Sequence, residues 1–151
     1  MCAHGSVYLK LSSKIISEEK PDDWTVNATA YYFLKTLKEN HNISENSHLT
    51  PHCGHTMWEV GEEKELYIGG CDIVIDWNVT HSLNKVIHEI VEGEFIETDF
   101  DEWRAAVCNF SDEVMKFCET SSPKIIDDEE DKKGFELFMK EWTRLRAEAF
   151  E

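Results

Sequence analysis

Apolar residues recur along this chain with two periods, and the switches between them mark out its elements. Val7, Leu9 and Leu11 alternate with Tyr8, Lys10 and Ser12, the period-two pattern of a half-buried strand. Residues 12–23 are polar, carry Pro21 and read as a loop. Ala30, Phe33, Leu34 and Leu37 then fall at i, i+3, i+4 and i+7. That is one stripe of a helix, which Asp23 or Thr25 can cap and which fades near residues 40–42. Residues 42–54 are loop-like and end in Pro51-His52-Cys53-Gly54.

Beyond that loop the period returns to two. Residues 55–60 and 65–68 form short strands joined by a polar turn, and Gly69-Gly70 breaks the second. Ile73, Ile75, Trp77 and Val79 alternate with Val74, Asp76, Asn78 and Thr80 in the clearest strand of the chain. A two-residue turn at Leu83-Asn84 sets Ser82 opposite Lys85, His81 opposite Val86 and Val79 opposite His88. The returning strand covers residues 85–91, and Gly93 permits a further turn into 95–98. Consecutive short strands of this kind predict an antiparallel meander.

The last third switches to helical spacing. Phe100, Trp103, Val107, Phe110, Val114 and Phe117 step 3-4-3-4-3, with Thr98 and Asp101 as a capping arrangement. Ser121-Ser122-Pro123 ends this helix. Asp127 to Asp131 should open a second one, whose seam is Phe135, Phe138, Trp142, Leu145 and Ala149. The pattern predicts one α+β domain over residues 1–151. Its core is an antiparallel sheet meander, with one N-terminal helix and two C-terminal helices packed on one face. Trp24, Trp58, Trp77, Trp103 and Trp142 are spread over nearly every element, as anchors of a shared core would be.

Composition narrows the partners. At 151 residues and 41% apolar content the chain can bury a substantial core. Its 31 acidic against 15 basic residues give a net charge of −16, which repels phosphate backbones and anionic membranes and favours a cation or a basic protein. No run approaches the ~20 apolar residues of a membrane span. Five cysteines without disulfide-scaffold density, and a start without an apolar signal core, point to a reduced, cytoplasmic setting.

Four constellations could carry chemistry. His52, Cys53 and His55, with Cys71 further on, are the imidazole and thiolate donors that zinc takes, although the spacing is not that of a zinc knuckle. The same residues allow Cys71 to act as a nucleophile, with His55 or His52 as base and Asp72 or Asp76 orienting it. Acidic neighbours should then raise the thiol pKa and oppose that chemistry. His81 and His88 are diagonal neighbours on one hairpin face, where they form a site or cap the core. Finally, Glu89, Glu92, Glu94, Glu97, Asp99, Asp101 and Glu102 form an acidic run with no Lys or Arg inside it, which should raise the pKa of each member. A second acidic cluster lies at residues 127–131.

The charge and the acidic run point to a non-catalytic cytoplasmic protein, without a cofactor, that binds a basic protein partner, as an inhibitor or immunity protein does. The alternative is a zinc-binding module or metal-dependent enzyme built on His52, Cys53, His55 and Cys71.

Overall fold

The computed structural model describes residues 3–18, 24–44, 47–54, 56–121 and 125–151. Asp23, His55, Ser122 and Pro123, each given a role above, lie outside them. The protein is α+β. Among the described residues eleven strands and three helices follow one another, with one helix early and two late. The strands are β1 (His4–Gly5), β2 (Leu9–Leu11), β3 (Lys14–Ser17), β4 (Trp24–Thr25), β5 (Thr50–Pro51), β6 (Thr56–Val60), β7 (Glu65–Gly69), β8 (Val74–Ile75), β9 (Asn78–Ser82), β10 (Lys85–Val91) and β11 (Glu94–Asp99). The helices are α1 (Val26–Lys35), α2 (Phe100–Thr120) and α3 (Glu129–Glu148).

All pairings among these strands are antiparallel, but they form several small sheets instead of one. Among the described residues only β9, β10 and β11 make a three-stranded meander, and its hairpin has the expected register, Ser82 opposite Lys85 and Val79 opposite His88. Leu83 takes a left-handed φ of 55° to close that turn. The expected strand over 73–80 is interrupted. Asp76 turns its carboxylate back onto its own neighbour's Trp77 N–H, which separates β8 from β9. The region expected to be loop after Ser12 contains β3, because Ser12 adopts a φ of 54° and folds Lys14–Ser17 back onto β2.

Helix α1 is the centre of the molecule. The sequence predicts one apolar stripe, yet every residue from Val26 to Leu34 is buried, Asn27 and Thr29 included. A helix covered on all sides needs its end groups satisfied from other elements. Val26 N–H donates to the Ala3 carbonyl, and Asn27 Oδ1 accepts from Ala3 N–H. α2 and α3 both pack on α1; α3 also covers β6 and β7, and α2 touches β10 and β11. Most of the two long seams faces this core: Trp103, Val107, Val114, Phe138, Trp142, Leu145 and Ala149 are buried and Phe100, Phe110 and Phe135 partly so, while Phe117, at the end of the first seam, is exposed. α2 is capped by Asp99, not Thr98; its carboxylate accepts from Asp101 N–H and Glu102 N–H. Of the tryptophans, Trp58 departs from the anchor role: it lies exposed, stacked on Tyr67 across the β6–β7 hairpin. No helix among the described residues is long and apolar enough to cross a membrane.

Candidate functional site: a histidine–dicysteine cluster

Two loops distant in sequence meet beside the start of α1. β5 pairs with β8, Thr50 opposite Ile75 and Pro51 opposite Val74. The pairing continues outward as His52 N–H donates to the Ile73 carbonyl at 3.0 Å. Thr25 stands at the N-cap of α1, but its hydroxyl does not cap the helix. It donates to the His52 carbonyl at 2.9 Å and fastens the loop to the helix. Glycines allow the closest approaches. A Cβ on Gly70 would lie 2.6 Å from the Cys53 carbonyl oxygen, and one on Gly54 would lie 3.0 Å from Ala28 Cβ.

This arrangement brings together three of the four residues named as candidate zinc ligands. The donor atoms of His52, Cys53 and Cys71 all lie within 4.8 Å of one another. His52 Nδ1 is 3.3 Å from Cys53 Sγ and 3.9 Å from Cys71 Sγ. All three side chains are half-buried. Cys53 and Cys71 also line a cavity of about 190 Å³, with Tyr32, Tyr67, His48 and Asp72 in its walls.

The electrostatics of Cys71 run opposite to the sequence expectation. Hydrogen bonds from the Cys53 thiol, the Ile73 backbone and His52 bring the Cys71 thiol down to about 7, and its acidic neighbours do not raise it. Asp76, one of those neighbours, is occupied elsewhere. Its Oδ1 accepts from His41 Nε2 at 2.7 Å, Leu49 N–H at 3.1 Å and Trp77 N–H at 3.1 Å, and its Oδ2 is 3.3 Å from His48 Nδ1. Burial would raise the Asp76 carboxyl, but the bonds from His41 and Leu49 outweigh it and hold the group below the usual carboxylate range. This carboxylate therefore pins the segment leading into His52, a role to which nothing in the local sequence points. His41 is 35 residues away.

His81 and His88 do not form a site together. His81 Nε2 reaches the Thr36 carbonyl at 2.6 Å and packs edge-on against Phe100. His88 is fully buried, and its ring stands 4.8 Å from Trp103.

The acidic run is compensated from outside itself. Glu94 pairs with Lys14, Glu97 with Lys85 and Asp101 with Arg104, while Asp99 caps α2. Glu89 accepts from Asn78 Nδ2 and Gly93 N–H, which hold its carboxyl below the ordinary value, the reverse of the mutual raising expected. Among the described residues only Glu92 and Glu102 of the seven lack such a partner. In the second cluster, Asp128 caps α3 and Glu130 pairs with Lys133.

Compared with known family models, with curated protein sequences and with solved structures, the chain has no match.

Proposed function

We propose that this protein binds a thiophilic divalent metal ion, zinc before others, through His52 Nδ1, Cys53 Sγ and Cys71 Sγ. The spacing of the three donor atoms carries the reading. Zn–S bonds of about 2.3 Å and a Zn–N bond of about 2 Å at tetrahedral angles put neighbouring ligand atoms roughly 3.5–3.8 Å apart. The two nitrogen–sulfur distances here, 3.3 and 3.9 Å, straddle that range. Two thiolates and a neutral imidazole neutralise the charge of a divalent ion, so the site needs no further carboxylate. The fourth vertex is left to water. A reducing cytoplasmic setting, to which the cysteine usage points, keeps both thiols available to a metal.

The acidic run supports capture of a basic protein less well. Its two carboxylates without internal partners, Glu92 and Glu102, flank the two ends of β11, roughly 20 Å apart for a strand of that length.

Elemental analysis of untagged protein purified without chelator tests the metal reading. About one zinc per chain is expected, lost in Cys53→Ser and in Cys71→Ser but kept in Cys108→Ser, whose thiol is a buried core group. Cobalt loading should give thiolate-to-metal charge transfer and a tetrahedral ligand-field spectrum. Protein that holds neither metal overturns the reading.

A further inference from the structure

We propose that Cys53 and Cys71 form a reversible disulfide, making the cluster a modification site whose oxidation excludes the metal; the exclusion, though not the disulfide, rests on the zinc reading. Both sulfurs stand within 4.8 Å of each other. A disulfide requires about 2.05 Å, and one χ1 step of a cysteine moves its sulfur by roughly 3 Å, so a rotamer change at one residue suffices to close the gap. The backbones are already adjacent, since Cys53 O lies where a Cβ on Gly70 would clash, and His52 is hydrogen-bonded to Ile73. Residues 52–54 and 70–73 lie outside the strands, and a side-chain rotation leaves the His52–Ile73 backbone bond in place. Both thiols line the same cavity and can be reached from it.

The oxidant is hydrogen peroxide. One thiolate attacks the peroxide, the O–O bond breaks, and hydroxide leaves to give a sulfenic acid. The second thiolate attacks that sulfur, the S–S bond forms, and the S–O bond breaks with loss of a second hydroxide. The two thiol protons convert both hydroxides to water, so two thiols lose two electrons and one peroxide becomes two waters. A disulfide has no thiolate to offer a metal, and a dithiol reductant restores both ligands.

Peptide mapping of the full chain decides this. Metal-free protein is treated with a small excess of hydrogen peroxide and digested without reduction. Trypsin cuts at Lys64, between the two cysteines, so a Cys53–Cys71 link appears as two joined peptides, residues 39–64 and 65–85. That species is expected to dominate, with Cys2, Cys108 and Cys118 still thiols, and to disappear with dithiothreitol. One equivalent of zinc should slow its formation about tenfold, because a bound thiolate attacks poorly. Peroxide added to zinc-loaded protein should release the ion in step with the disulfide. Conversion of both residues to sulfinic acid, or pairing with other cysteines, overturns the disulfide. If the disulfide forms but zinc is never retained, the metal reading fails and the thiol pair stands. If zinc is retained and no disulfide forms, the reverse holds.

Discussion

The indole Nε1 of Trp77 donates to Nδ1 of His88 across 3.1 Å, in a part of the core that water does not reach. An indole nitrogen only donates, so Nδ1 is the acceptor and the ring proton sits on Nε2, facing Thr98 Oγ1 at 3.0 Å. The Thr98 hydroxyl passes the chain on to the Val86 carbonyl. His88 is thus held neutral in one tautomer, and burial pushes its pKa down to about 4. In the unfolded chain it titrates near 6.5, so between about pH 6.5 and 4 the unfolded state binds a proton that the folded state refuses. Stability contributed by neutral His88 is present above that window and falls as the pH drops through it, by about 3 kcal/mol in all. His88→Asn keeps an acceptor for Trp77 without the titration. Urea unfolding at pH 7 and pH 4.5 should show a flatter pH dependence in the variant; an unchanged slope would sink the assignment.

Gly134 of α3 lies against the backbone of β6. An added Cβ would stand 1.8 Å from the Met57 carbonyl oxygen and 2.8 Å from Trp58 N. Helix propensity alone makes Gly→Ala stabilising by about 1 kcal/mol. Here the helix must lift off the strand, so Gly134→Ala should cost about 2 kcal/mol or more in chemical denaturation. A gain in stability would mean that α3 does not touch β6.

Asp76 joins His41, His48 and Leu49 to the start of β9. Asp76→Asn removes the charge from these bonds and should cost about 1–3 kcal/mol. Since the depressed carboxyl contributes its stability above the usual carboxylate range and loses it as the pH falls through its folded value, the deficit should shrink in acid. Because Leu49 leads into β5 and His52, zinc affinity should fall as well. Equal affinity in wild type and variant would separate Asp76 from the proposed metal site.

Trp103 and Trp142 are each about 3% exposed, and the Trp103 indole also donates to Thr36 Oγ1. Replacing either by Ala should cost on the order of 3–5 kcal/mol. Trp58, at 42% exposure with only Tyr67 stacked on it, should cost about 1 kcal/mol or less. Equal losses at all three positions would contradict this division between core and surface.

Features carried by neighbouring residues were legible in the chain itself. The seams of α2 and α3 follow from apolar side chains three and four apart, and the 78–89 hairpin register follows from one two-residue turn. The identity of the soft donors at His52, Cys53 and Cys71 was likewise plain. What joined them was not. Cys53 and Cys71 meet because two-residue strands β5 and β8 pair across 24 intervening positions or fewer, and so short a pairing leaves no periodic trace. Asp76 looked like an outward residue of a continuous strand until His41, His48 and the Leu49 N–H gave its carboxylate a reason to end it. The acidic run looked uncompensated because Lys14, Lys85 and Arg104 all lie outside it. Local periodicity records which face a residue turns to the core. Which distant segment supplies the other half of a hydrogen bond, an ion pair or a ligand set is settled only when the core closes, and the sequence by itself holds no sign of it.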